Sequence, residues 1–150
     1  MVDDFLKPSL AQAVTSSAVS TNTIDLGVAR DLGSGEELNF SFTVDVAATA
    51  AGAATVTFQV ISSAAAALTS PTILTQTDAI GKAELTAGRK PIVVPIARAA
   101  LISAQALGQR YLGAQYTVAT GPLTAGSFTC YLVIDAQDVN KNYPSGFSVT

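Results

Sequence analysis

The sequence predicts an all-β fold, a single jelly-roll-like β-sandwich with one short helix. Several segments alternate apolar and polar residues with a period of two, as strands do when they bury one face. Turns that contain Gly or Pro separate these segments, and only one stretch has helical spacing, whereas a parallel α/β fold needs helices between its strands. With 150 residues, the chain is long enough for one domain with a substantial core.

The longest alternating pattern lies in residues 110–135. Large apolar side chains occupy even positions on both sides of a Gly- and Pro-containing turn: Leu112, Ala114, Tyr116 and Val118, then Phe128, Cys130, Leu132 and Ile134. We interpret this pattern as a β-hairpin with one apolar face and one polar, partly aromatic face. Because an isolated hairpin is marginally stable in water, its apolar face requires cover from further strands.

The N-terminal residues have no sustained period. Residues 1–20 include Phe5, Leu6 and Leu10, and we predict an N-terminal arm over residues 1–20 and a jelly-roll-like β domain over residues 21–150. The arm either packs on a neighbouring subunit or is mobile, as chain termini often are. The first segments of the β domain are a short β-prone stretch and a Gly-rich loop.

Two regular strands are predicted next, at residues 38–46 and 55–61. The Ala-rich residues 47–54 between them are too few for a stable isolated helix. We interpret them as a connection and expect the two strands to pair as a second hairpin.

The remaining elements are two strands and the helix. Residues 73–77 predict a strand, and residues 89–96 predict another, in which Pro91 and Pro95 interrupt the backbone donors and indicate a sheet edge. Residues 97–107 have helical spacing and are followed by Gly108, a common helix terminator.

Charged residues are scarce, at 13% of the chain against roughly 25% in typical soluble domains. The net charge is −3, and the basic residues occur singly, so we expect no nucleic-acid partner. No apolar run approaches the ~20 residues of a membrane-spanning helix, so we expect no membrane partner either. A weakly charged surface is typical of a domain that contacts other subunits, although an Ala-rich domain without a large partner surface has the same composition.

The N-terminus and the cysteine content suggest a reducing compartment. The first residues are acidic and contain no basic region before an apolar run, so we expect no signal peptide. One cysteine cannot form an internal disulfide. We therefore expect a protein that stays in a cytosol-like compartment or leaves it by a route other than secretion.

Groups that support catalysis are few. The chain has no histidine, and it therefore lacks the commonest general base and metal ligand. Cys130 shares the apolar face of its strand, which indicates a buried small side chain rather than a nucleophile. Acidic groups around Glu37 (with Asp31 and Glu36) and around Asp135 (with Asp138) leave a small glycosidase as an alternative, but they occupy turn positions where acids are common. We expect no enzyme, no catalytic residue, no cofactor and no metal.

Three segments of the chain are distinctive: Thr23-Ile24-Asp25-Leu26-Gly27 with Ala29-Arg30-Asp31, the stretch from Arg110-Tyr111-Leu112-Gly113 to Gly126, and Tyr143-Pro144-Ser145-Gly146-Phe147. Together they resemble a family of capsid cement proteins of tailed bacteriophages, including one of Bordetella. The resemblance extends from about Ala11 to the end of the chain. It implies a jelly-roll domain that is made in the bacterial cytoplasm and binds the outer surface of an HK97-type capsid. There it would clamp adjacent major capsid protein subunits, usually as a homodimer, with a trimer as the alternative.

Seven residues are candidates for contacts with the capsid or with a second copy. They lie on the polar face of the predicted hairpin or at the chain ends: Tyr111, Gln115 and Tyr131, and Phe5, Leu6, Tyr143 and Phe147. Ordinary surface or core is the alternative for each of them. A carbohydrate-binding module on a virion remains an alternative function, although such modules usually rely on Trp, which this chain lacks.

Overall fold

A computed structural model describes residues 6–27 and 38–133. This part of the chain contains ten strands and one α-helix: β1 (Ser9–Ala13), β2 (Ala18–Val19), β3 (Ile24–Asp25), β4 (Leu38–Thr49), β5 (Thr55–Ser63), β6 (Thr72–Gln76), β7 (Ile80–Gly81), β8 (Ile92–Ile96), α1 (Arg98–Ala106), β9 (Tyr111–Ala119) and β10 (Ala125–Val133). One turn of 3₁₀ helix, Lys82–Glu84, follows β7.

The strands form two antiparallel sheets. Sheet A has the order β1-β10-β4-β8, and sheet B has the order β2-β9-β5-β6, with β3 beside β9 and β7 beside β5. Apart from the two short additions, the pairs are nested along the chain: β1 with β10, β2 with β9, β4 with β8, and β5 with β6. This nested order is that of a jelly roll and confirms the predicted all-β sandwich.

Neither predicted hairpin forms. β9 pairs with β5 in sheet B, whereas β10 pairs with β4 in sheet A, so the chain crosses between the sheets at residues 120–124. β4 and β5 also lie in different sheets. The prediction was wrong because alternation determines only which side chains face inward. Two apolar faces meet the core equally well when consecutive strands lie side by side and when they lie opposite each other.

The two crossings lie at one end of the sandwich, which we call the crossover end. The backbone N–H of Thr124 donates to the carbonyl of Thr49 at 2.7 Å, and that of Leu123 donates to the carbonyl of Thr15 at 2.9 Å. The Lys82 N–H donates to the carbonyl of Ala54 at 3.1 Å. These bonds join the short connections and satisfy backbone groups that leave the sheet ladders.

Four aromatic rings form the centre of the core. Phe42 and Phe128 come from sheet A, and Phe58 and Tyr116 come from sheet B. The Phe42 and Phe58 centroids lie 5.1 Å apart, and Phe58 meets Phe128 edge-to-face at 5.2 Å. Tyr116 stacks on Phe128 at 5.4 Å. Each pair joins the two sheets, and such pairs contribute about 0.5–1.5 kcal/mol beyond the burial of their area.

The predicted N-terminal arm, residues 1–20, is not separate from the β domain in its described part, because it contributes strands to both sheets. Ser9–Ala13 pairs with β10, and Ala18–Val19 pairs with β9. The Ser9 hydroxyl is fully buried and shares a hydrogen bond with the Tyr116 hydroxyl. Burial raises the pKa of Tyr116 far above its ordinary value, so the phenol stays neutral. A polar contact inside the core, invisible to periodicity, thus joins the N-terminal segment to the sandwich.

Several individual predictions are confirmed. β6 forms within one residue of its predicted bounds, and β8 forms in the second part of the predicted segment 89–96 and is an edge strand of sheet A. The helix ends just before Gly108, whose φ is +77°. Cys130 is fully buried, and burial raises the pKa of its thiol. In the described part, no helix has the length and apolar character needed to cross a membrane.

The buried hydroxyl pair gives a test of the N-terminal attachment. We expect Tyr116→Phe to reduce the free energy of unfolding by about 1–3 kcal/mol, because the Ser9 hydroxyl would remain buried without its partner. Tyr131→Phe is the matched control, since Tyr131 is only half-buried on the outside of sheet A, and surface changes typically stay within about 0.5 kcal/mol. Urea unfolding measures the free energy of unfolding of both variants. Equal losses in the two variants would show that the Ser9–Tyr116 hydrogen bond does not stabilise the fold.

Candidate interaction surface

The outside of sheet B is a mostly polar face built from residues at alternate positions of β5 and β9. Because Leu112, Ala114 and Tyr116 of β9 point into the core, the residues between them point outward. Cross-strand register places these residues in rows with β5 and its neighbours: Asp25–Tyr111–Ser63, Gly113–Ile61–Ile73, Val19–Gln115–Gln59–Gln76, and Thr117–Thr57. We call this surface the outer face of sheet B.

Amide and hydroxyl groups on this face bond one another. The Gln59 side-chain nitrogen donates to Gln76 Oε1 at 2.7 Å, and the Thr117 hydroxyl donates to Gln59 Oε1 at 2.9 Å. Gln59 is buried, and its register partner Gln115 is half-buried. Gln59 is therefore held by Gln76 and Thr117, and any partner would meet uncharged amide and hydroxyl groups at this point of the face.

The connection from β5 to β6, residues 64–71, folds back over part of this face, and we call it the strap. Its Leu68 side chain lies over Gly113, and Leu68 is only 2% exposed. Ile61, directly opposite Gly113 in the ladder, is fully buried although it is on the outside of the sheet. The main core cluster contains neither Leu68 nor Ile61, so the strap creates a second, smaller apolar contact.

Tyr111 lies beside a charged pair. The Arg110 guanidinium carbon lies 5.0 Å from the centre of the Tyr111 ring, and Arg110 Nη2 donates to Asp25 Oδ2 at 2.7 Å. The Gly27 N–H, which donates to Asp25 Oδ1 at 2.8 Å, is the main cause of a lowered Asp25 pKa, and Arg110 lowers it further. In turn, the carboxylate raises the pKa of Arg110. The arrangement keeps the Tyr111 ring oriented by a cation on its face.

The outside of sheet A carries Tyr131. Register places Tyr131 beside Ser41 and then Val93, and the next row contains Val133, Asn39 and Pro95. Val93 is 41% exposed, and Tyr131 and Val133 are half-buried. We call this surface the outer face of sheet A; around Tyr131 it combines the apolar residues Val93, Val133 and Pro95 with the polar residues Ser41 and Asn39.

The structure does not bring the predicted interface residues together. Tyr111 and Gln115 lie on the outer face of sheet B, whereas Tyr131 lies on the outer face of sheet A, on the opposite side of the sandwich. The expected common polar face fails because β9 and β10 are in different sheets. Leu6 is half-buried and packs against the core cluster. The predicted positions Phe5, Tyr143 and Phe147, and the acidic groups around Glu37 and Asp135, lie outside the described residues.

Sequence reasoning missed several exposed apolar side chains, which are Leu10, Val46, Ile73, Val93, Ile102 and Leu107. Leu107 is the most exposed of them, at 73%, and it caps the C-terminus of α1. Val93 could have been identified, because it alternates with the buried residues of its strand. The exposure of Val46 follows from a bulge between β4 and β10, which no periodic signal reveals.

Charge is nearly absent from both sheets. Asp25 and Asp45 are the charged residues of the ten described strands. The Thr129 hydroxyl donates to Asp45 Oδ2 at 2.6 Å and accepts from the Ala11 N–H at 2.9 Å, so Asp45 helps to hold β1. Among residues 6–27 and 38–133, no group of three or more His, Cys, Asp or Glu side chains is arranged to hold a metal ion.

The Asp25 pair predicts a measurable titration. A carboxyl group with a lowered pKa stabilises the fold above its ordinary pKa of 3.8, and this contribution disappears as the pH falls through the lower folded-state value. We expect Arg110→Gln to raise the pKa of Asp25 but to leave it below 3.8, because the Gly27 N–H still donates. Carboxyl carbon NMR measures this pKa. Arg89→Gln, in the connection between β7 and β8, is the control. Identical Asp25 titration curves for the two variants would show that Arg110 does not lower the pKa of Asp25.

Comparison with known proteins supports a phage origin. A family model described as Bbp16 matches residues 8–132, which include every described strand except the last residue of β10. The name suggests a protein of a Bordetella phage. A search of curated proteins found no match. Because the family model covers most of the chain, this protein belongs to the Bbp16 family.

Proposed function

We propose that this chain is a capsid cement protein, a structural virion protein without catalytic activity. It would bind the outer surface of an HK97-type phage capsid and stabilise the contacts between major capsid protein subunits. The Bbp16 match over residues 8–132 carries this proposal, together with the segments that resemble cement proteins. The chain would be made in the host cytoplasm and end on the outside of the virion.

The composition of the two outer faces supports a role in contacts with other subunits. Interface centres are poor in charge and enriched in aromatic residues. The outer face of sheet A has few charges and presents Tyr131, whereas Tyr111 on the outer face of sheet B lies beside the Arg110–Asp25 pair. The outer face of sheet A is the better candidate for the capsid contact. Its Tyr131 shares two adjacent rows with Val93, Val133 and Pro95, interleaved with Ser41 and Asn39, whereas Tyr111 already contacts Arg110.

The edges of the described sheets favour contacts through faces and ends rather than through strand addition. β8 contains Pro95, which removes a backbone donor. β1 and β6 each contain a register shift, and β2 has only two residues. Bulges, prolines and short strands are the usual protection of a sheet edge against pairing with another chain.

We further propose that the protein acts as a homodimer, with a trimer as the alternative. A closed symmetric oligomer presents the same capsid-binding patch more than once, and linked contacts raise the overall affinity even when each is weak. Sedimentation velocity of the purified chain distinguishes a monomer, a dimer and a trimer.

Co-sedimentation with expanded capsids that lack the protein tests the function. We expect saturable binding at micromolar concentration. Tyr131→Ser should weaken binding by about tenfold or more, as loss of an aromatic anchor typically does, while the matched variant Tyr111→Ser should bind nearly as well as the unmodified chain. Both variants remove a half-buried tyrosine from the outside of a sheet.

The outcomes separate the function from the choice of face. If the unmodified chain stays in the supernatant, the cement proposal is wrong, and a glycan-binding screen is the next experiment. If the chain binds but Tyr111→Ser causes the larger loss, the function stands and the capsid contacts the outer face of sheet B.

A further inference from the structure

The strap, residues 64–71, packs on the outer face of sheet B at Gly113, where β9 has no side chain. A Cβ atom at Gly113 would overlap Leu68 Cδ1 and would lie 2.9 Å from Ser20 Oγ. The absence of a side chain therefore lets Leu68 lie directly on β9. Glycine at this position is needed for close approach of another group rather than for an unusual backbone conformation.

A small set of hydrogen bonds fixes the strap to the end of β5. The Ser63 hydroxyl donates to the carbonyl of Thr69 at 2.7 Å and accepts from the Ala65 N–H at 3.1 Å. Within the strap, the Leu68 N–H donates to the carbonyl of Ala65 at 3.0 Å. All three bonds are local, so they can break without disturbing the ladders of sheet B.

The closed strap has an unfavourable backbone. Leu68 has φ +53° and Ser70 has φ +46°, a left-handed region that residues with a side chain rarely adopt. Such conformations persist only where surrounding contacts enforce them. Here the enforcing contact is the packing of Leu68 on Gly113, so loss of this contact would also relieve the strain.

We infer that the strap is a latch with two states, in which Leu68 is either seated on Gly113 or released while the sandwich stays folded. Segments with few buried contacts and local hydrogen bonds open at a lower free energy than the core. Release exposes Ile61 and the groove above Gly113, in the row next to Tyr111. The outer face of sheet B is therefore mostly polar when the strap is closed. When the strap is released, the face also exposes the apolar surface at Ile61 and Gly113. This inference does not depend on the cement function.

Thiol labelling tests the latch, with Cys130 as an internal reference. Cys130 is fully buried in the core, so its reaction with an aromatic disulfide reagent reports opening of the sandwich. The thiol introduced by Ile61→Cys replaces a fully buried side chain directly opposite Gly113, on which Leu68 packs, and we expect it to report release of the strap. We expect this thiol to react more than about tenfold faster than Cys130 in the same molecule, because local opening precedes global unfolding. Equal rates would overturn the inference.

Substitution of Gly113, on which Leu68 packs, provides the second test. Adding Gly113→Ala to Ile61→Cys should accelerate labelling of the introduced thiol several-fold and leave the Cys130 rate unchanged. Gly81→Ala is the matched control, because a Cβ there meets nothing within 4 Å and the Gly81 φ is −66°. Acceleration of both thiols by the same factor would show that Gly113 supports the whole sandwich and would overturn the latch.

Hydrogen exchange provides a readout that does not need the cysteine substitution. In the unmodified chain, the Leu68 amide should exchange at a rate that barely depends on low concentrations of urea, as expected for a small local opening. Amides of β5 and β9 should show the strong dependence of global unfolding. A Leu68 amide with the same urea dependence as these core amides would contradict the two-state strap.

Discussion

The contact between aromatic rings of opposite sheets is the interaction on which the rest of the structure depends. Phe42 and Phe128 of sheet A meet Phe58 and Tyr116 of sheet B at centroid distances of 5.1–6.1 Å. Two of these contacts, Phe42–Phe58 and Tyr116–Phe128, join strands that are consecutive in the chain. The other two, Phe58–Phe128 and Phe42–Tyr116, join the first half of the sandwich sequence to the last. The core therefore ties together strands that are far apart in the chain as well as those that the two crossings connect.

This arrangement leaves two broad outer faces, and they differ in kind. The outer face of sheet B is an amide and hydroxyl array that the strap partly covers. The outer face of sheet A is more apolar around Tyr131. With charge on the strands of residues 6–27 and 38–133 confined to Asp25 and Asp45, these strands add little of the repulsion that commonly keeps protein surfaces apart. A protein that adds contact area between other subunits benefits from such faces.

The sequence predicted the elements better than their pairing. Alternation at Phe128, Cys130 and Leu132 identified a strand and its buried side, and prolines identified β8 as an edge. The partner of each strand could not be predicted, since the same pattern suits a hairpin and a crossing. Likewise, Leu68 reaches Gly113 only because residues 64–71 fold back over sheet B. The sequence of these residues has no periodic pattern that would predict this path. Tyr111 and Tyr131 were identified as candidates, but their separation required the topology.

The most direct test of the cement role measures capsid stability rather than binding alone. Expanded capsids filled with DNA would be heated with and without saturating protein, and the temperature of DNA release would be followed with an intercalating dye. We expect a higher release temperature for decorated capsids, because bound ligands stabilise the state they bind and a cement protein would add contacts across subunit joints. Saturable binding with an unchanged release temperature would contradict it and would leave a protein that decorates the capsid without strengthening it.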